Sequence, residues 1–305
     1  MDFQQGQSVK HDAGNEKPGT RGTARRNVII SSDSTCDLPQ ELLERFHIEV
    51  IPLTITLGEE SFFDGVDFNP ERIYHRFHED GILPQTAAPS IQQYTDFFTA
   101  LRKNHCDVVH LTISSELSSS YANACLAAEE QEGVFVVDSR MLSNGVALLA
   151  IEGAEKRDEG MEAQEIAGHL RSLTEKVQTS FVLDTLEYMR KGGRCSGIVA
   201  FGSNLLHIKP ALTMHDGAIR VYKKYRGAME RVYVQYVQER LREKSIRPGH
   251  IFLADSGGID EGVLAGLEQL IHEATPLQEL HRTRAGCTVS AHCGPRTIGL
   301  FYLEE

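Results

Sequence analysis

The chain has no apolar run long enough to cross a membrane as a helix. Its longest good one, Val146 to Ile151, falls far short of the roughly 20 residues a span needs. The first residues show no apolar core of a secretory signal, so a cytoplasmic protein is expected. Positive charge is scarce as well: 31 Lys and Arg stand against 43 Asp and Glu, a formal net charge of -12. An acidic surface repels phosphate backbones, which argues against nucleic acid as a partner. The six cysteines, Cys36, Cys106, Cys125, Cys195, Cys287 and Cys293, contain no C-x-x-C pair. Cytosolic thiols are mostly reduced and packed. Cys287, His292 and Cys293 lie close together, but no second ligand group stands at a recognisable spacing, so no metal site is expected. Neither G-x-x-x-x-G-K-S/T nor G-x-G-x-x-G occurs, so any nucleotide would have to be held by another protein. G-x-S-x-G and fixed-period repeats are absent too.

What is present alternates. Val28–Ser31, Glu49–Leu53, Asp107–Ile113 and Val134–Asp138 read as strands. Between them lie a helix opened by Asp37 and Pro39, one opened by Asn69-Pro70, one with a Ser90/Gln93 capping box, and one after Ser114–Tyr121. This pattern predicts right-handed crossovers and a parallel sheet. Residues 1–26 read as a disordered tail, 27–162 as an N-terminal parallel α/β domain, and 163–305 as a C-terminal α/β domain with a mixed sheet. A long helix, Leu142–Arg157, closes the first part, and an amphipathic one, Ala163–Val177, begins the second. Two strands around His215-Asp216-Gly217 give a hairpin signal, and the end, Thr288–Leu303, reads as loop and strand.

The stretch Thr185–Leu212 organises the second half. A short helix carries Arg190 and Lys191 at its negative end, where cations are favoured. Gly192 is expected to take the left-handed conformation that ends it, leaving Arg194 on a tight turn facing a cleft. Ser196 can cap a further helix, Ile198–His207, and Pro210 pushes Lys209 towards extended geometry. On spacing alone a solvent-facing basic turn is the favoured reading.

Ligands of open parallel sheets collect beyond the carboxyl ends of the strands. Two hydroxyl-bearing loops stand at such places, Pro84–Pro89 with Thr86 and Ser114–Ser120. The second also opens a helix, whose free N–H groups suit an anion but need only be capped.

Leu186–Arg194 and Asn204–Pro210 closely resemble the signature of the DegV family, a Leu-Glu-Tyr-Leu-x-x-Gly-Gly-Arg turn followed by Asn-Leu-Leu-x-Ile-Lys-Pro. Asp33, Ser34, Asp37, Leu38 and Pro39 fit its Asp-Ser-x-x-Asp-Leu-Pro motif, and the similarity runs from about Val28 to the C-terminus. DegV proteins bind fatty acids and include the FakB subunits of bacterial fatty acid kinases. The resemblance implies a two-domain fold and no cofactor beyond the bound acid. It implies a carboxylate held by Thr86, Ser115 and Ser118, with the acyl chain in an apolar tunnel. Arg194, Arg226 and His292 match residues implicated in phosphorylation of that carboxylate by a FakA-like kinase of the DhaL type. The chain would then be a substrate-binding subunit rather than a complete enzyme. It departs from the family at Ala87-Ala88, at Ser119-Ser120 where Gly-Thr is usual, and at Arg296 in place of a Gly. A lipid-sensing regulator without a kinase fits the same residues. A serine hydrolase with Ser115 or Ser118, His292 and Asp33 is the remaining alternative.

Overall fold

The computed structural model describes residues 27–194, 208–242, 245–275 and 278–305. The expected helix Ile198–His207 and Cys195 lie outside the described residues, as does the expected tail. In chain order the elements are β1 (Val28–Asp33), α1 (Gln40–Phe46), β2 (Ile48–Ile51), β3 (Thr54–Leu57), β4 (Glu60–Phe63), α2 (Pro70–Asp80), β5 (Gln85–Ala87) and α3 (Ile91–Leu101). Next come β6 (Asp107–Thr112), α4 (Ser120–Ala128), β7 (Val134–Asp138), α5 (Asn144–Asp158), α6 (Ala163–Leu173), β8 (Val177–Val182), α7 (Glu187–Lys191) and β9 (Ile208–His215). The last are β10 (Ala218–Arg226), α8 (Met229–Arg242), β11 (Ile246–Asp255), α9 (Glu261–Ala274), β12 (Glu279–Arg284), α10 (Cys287–Cys293) and β13 (Ile298–Glu304).

The expected parallel sheet is there, in the order β2-β1-β6-β7, with every pairing parallel. Its order reverses between β1 and β6, since β1 has its successor β2 on one side and β6 on the other. The mixed sheet of the second half runs β10-β9-β8-β13-β11-β12, antiparallel except between β11 and β12. A small antiparallel sheet, β4-β3-β5, was not anticipated. The loop expected around Thr86 therefore contains a strand, because Thr86 pairs with Ile55. Three residues of strand carry too little alternation to be read in sequence.

Residues on alternate faces of the mixed sheet enter different cores, as the two-residue period requires. Ile251, Leu253 and Leu300 pack under α8 and α9, whereas Phe252, Phe301 and Phe181 face the other way, towards α5. Helix α5 has every residue from Asn144 to Ala154 buried. A helix without a polar face belongs inside a protein, and this one touches both large sheets. It is the shared wall of the molecule. Its one buried acid, Glu152, accepts from His169 Nε2 at 2.8 Å and Arg247 Nη2 at 2.7 Å, so the charge is paired on both oxygens. Helix α6, expected to begin the second half, lies against α5, β6 and β7 of the first, burying Ile166, Ala167, Leu170 and Leu173.

Leu149 is fully buried in this wall. Truncation to Ala is expected to cost about 2–5 kcal/mol in urea unfolding, the range for a core Leu whose surroundings cannot collapse. A cost under about 1 kcal/mol would mean that α5 is not the shared wall.

Candidate functional site

A cavity lies between the two halves. Leu53, Ile113 and Leu142, which follow β2, β6 and β7, line one side; Phe181, Met189, Ile219 and Phe301 line the other. It thus lies beyond the carboxyl ends of the parallel strands, as expected for such a sheet. The β9–β10 hairpin docks onto the first half: Ser114 Oγ donates to Gly217 O at 2.7 Å, and Arg140 donates to Asp216 O. A side chain at Gly217 would stand 2.6–2.7 Å from Arg140 and Ser114.

Most of the wall is aliphatic or aromatic; Ser143, Asp255, Ser256 and Thr297 add polar atoms to it, and a further polar group gathers from four places in the chain. Strand β5 brings Thr86, whose hydroxyl lies 3.0 Å from His292 Nε2 on α10. Thr288, one helical turn before His292, also lines the cavity, and its buried hydroxyl has no hydrogen-bond partner among the described residues. Ser118 contributes a hydroxyl that lies 2.9 Å from Ser120 Oγ. Arg194 lines the same cavity from the turn after α7. Burial pushes the His292 imidazole down to about 4, and the Arg194 guanidinium acts in the same direction. The imidazole is therefore neutral near pH 7, with one N–H to donate.

The glycines of the turn after α7 differ from expectation. Gly192 has an ordinary helical φ of -74°, and Gly193 takes the positive value, 74°. Gly192 is instead a close-approach position, since a Cβ there would lie 2.3 Å from His292 Nδ1. We expect Gly192→Ala to displace the imidazole and weaken ligand binding about tenfold or more, with little change in far-UV circular dichroism. Unchanged affinity would show that His292 does not act where it stands.

Helix α10 is fixed from below by carboxylates. Asp64 accepts from the backbone N–H of Cys287 at 2.7 Å and of Thr288 at 3.2 Å, and Asp37 accepts from Gly286 N at 2.9 Å. Acids at a helix start satisfy donors that have no partner within the helix. Asp37 also accepts from Ser143 Oγ, and Ser34 Oγ donates to Asp64. Burial raises Asp37 well above the usual carboxylate range, with Asp64 and Asp33 adding to the effect. The Asp-Ser-x-x-Asp motif thus ties the end of β1 to α10.

The remaining sequence-derived residues are dispersed. Ser115 is exposed, does not line the cavity, and donates to Asp138 Oδ2 at 2.6 Å. Arg226 is exposed at the end of β10 and is likewise outside the lining. Asp33 accepts from Thr35 and from Ile113 N, and its contacts do not include His292. The hydrolase triad is therefore not assembled. Cys287 and Cys293 donate to the carbonyls of Phe68 and Gly294 rather than grouping with His292. Of the departures, Ser119 has an ordinary φ of -76° and needs no glycine. Arg296 does sit in the left-handed region, at 60°, and its guanidinium pairs with Asp184 and Glu230. Ala88 lines the cavity and Ala87 is exposed.

Sequence reading missed Thr288 and Asp64. Thr288 and His292 are four apart and share a helix face, but in sequence Thr288–Leu303 reads as loop and strand.

Two α/β layers around one buried helix, enclosing a mostly apolar cavity with polar groups from β5, the loop before α4, α10 and the turn after α7 among its lining, define a protein shaped to enclose an amphipathic molecule. The chain belongs to the DegV family: the model described as "Uncharacterised protein, DegV family" matches residues 27–305. A DegV domain-containing protein of Clostridium acetobutylicum is 30% identical over 280 residues, covering 91% of this chain and 99% of its own. A Thermotoga maritima protein named a fatty acid-binding protein is 29% identical, with 89% and 96% covered. A solved DegV structure from Thermus thermophilus, described by its fatty acid binding, superposes with a TM-score of 0.82 at 28% identity, covering 92% of this chain and all of the other.

Proposed function

We propose that the chain binds a long-chain fatty acid and presents its carboxylate to a separate kinase, which phosphorylates it to an acyl phosphate. The observation that carries this reading is the cavity itself, apolar along most of its wall with Thr86, Thr288, Ser118, His292 and Arg194 on its lining. Hydroxyl donors and a guanidinium make charge-assisted hydrogen bonds to a carboxylate, while an acyl chain gains about 0.8 kcal/mol for each methylene it buries. Fatty acid binding by the relatives from Thermotoga and Thermus supports the ligand class. Arg194 and His292 are the groups placed to steady charge during phosphoryl transfer. Ser115 acts one step back, positioning the Ser114–Ser120 loop through Asp138, and Arg226 belongs to the surface offered to the kinase. In this reading the chain has no cofactor of its own, ATP is held by the partner, and the pair works in the cytoplasm. Among the described residues no helix is long and apolar enough to cross a membrane.

The test compares oleate with its methyl ester in a binding titration. Oleate is expected to bind at one per chain and the ester at least tenfold more weakly, because the ester keeps the tail and loses the charge. Equal affinities would place the ligand's head group elsewhere and reject the reading.

A further inference from the structure

Away from the cavity, the parallel pair β11–β12 brings two imidazoles and a carboxylate to one point. His250 is the register partner of Glu279, and His281 stands two residues further along β12, so all three project from the same face. His250 Nδ1 lies 2.9 Å from His281 Nε2 and 3.6 Å from a Glu279 oxygen; His281 Nε2 lies 3.9 Å from the other oxygen. An ion bound at about 2.0–2.2 Å from N and O ligands fits against a triangle with sides of this length. On the far side of the ring, His250 Nε2 stands 3.3 Å from Glu155 Oε1 of α5. A carboxylate accepting from the outer nitrogen fixes the tautomer that leaves Nδ1 free to ligate, the arrangement found behind metal-bound histidines. Phe46 packs edge-on against His250 and Phe252 against His281, which holds both rings in place.

We propose that His250 Nδ1, His281 Nε2 and Glu279 bind one divalent metal ion of the class that favours imidazole, such as Zn²⁺ or Co²⁺, with Glu155 as a positioning residue. Three protein ligands leave a further position for water. The hydrogen now between the two rings gives way to the ion, passing through water to the other nitrogen of His281. Arg45 is the competitor, since it pairs with both oxygens of Glu279; with its side chain 50% exposed, it can turn to solvent when the ion enters. The ion would clamp the edge strand β12 to β11 and, through Glu155, to the shared helix.

The full chain, stripped with a chelator, is titrated with Co²⁺ and followed by its visible spectrum. One equivalent is expected, without the thiolate charge-transfer band that cysteine binding would give. His281→Ala should abolish it, and Glu279→Gln and Glu155→Gln should each weaken it at least about tenfold. Arg45→Gln should tighten it, a result that damage to the fold would not produce. Glu279 and Arg45 are exposed enough that both variants should fold, which circular dichroism checks. Absence of stoichiometric binding, binding that survives His281→Ala, or binding only with the thiolate band would overturn the proposal.

Discussion

Asp64→Ala is expected to destabilise the chain by about 2–6 kcal/mol and to weaken fatty acid binding together with stability. Asp64 is buried and accepts from two backbone N–H groups at the start of α10, and from the Ser34 hydroxyl. Deleting the carboxylate leaves both donors without an acceptor and without water, at about 1–3 kcal/mol each. Typical domains have only about 5–15 kcal/mol in total. The same helix carries Thr288 and His292, so its loosened start is felt in the cavity. Asn in place of Asp64 keeps one acceptor and should fall between the two. Urea unfolding and oleate titration of the three proteins check this, and a stable Asp64→Ala variant with normal affinity would show that α10 needs no such anchor.

Acid is expected to act through two buried imidazoles. Burial pushes His110 down to about 3 and His292 to about 4. Below pH 6.5 the unfolded chain takes up protons on these groups that the native state refuses, so stability falls as the pH falls. Between pH 7 and 4.5 each group should cost about 2–3 kcal/mol. Asp33 works the other way: burial raises it to about 6, so the native state binds a proton first and gains stability, about 2 kcal/mol by pH 4.5. Asp37, raised in the same sense, adds to that gain. The histidine term is isolated by His110→Phe, which removes a ring surrounded by Tyr94, Phe97 and Phe98 and whose Nε2 has no partner among the described residues. That variant should lose about 2–3 kcal/mol less than the parent chain between pH 7 and 4.5 in urea titrations. Identical losses would mean that His110 is protonated in the native state.

The large elements were legible because they repeat a period. Four apolar strands alternating with capped helices specify the parallel sheet, and Asp216-Gly217 between two alternating strands specifies the hairpin. The small sheet holding Thr86 was not legible, because strands of three and four residues carry no period of their own. Helix α10 escaped for a related reason: its start is satisfied by Asp37 and Asp64 from elsewhere in the chain, so no local cap marks it. Thr86, Ser118, Arg194 and His292 could be named through the family signature, and the structure brings them to one cavity. It places Ser115 and Arg226 outside the lining, a difference that neighbouring serines and a basic strand end cannot reveal. The role of Gly192 against His292 is a contact across about 100 residues of chain, which only the folded molecule displays.

Native mass spectrometry of the purified full chain, followed by denaturing extraction, tests the central claim most directly. One long-chain fatty acid per chain, lost or reduced in Thr86→Ala, is the predicted result. A chain that arrives empty and then refuses added oleate and palmitate would contradict it.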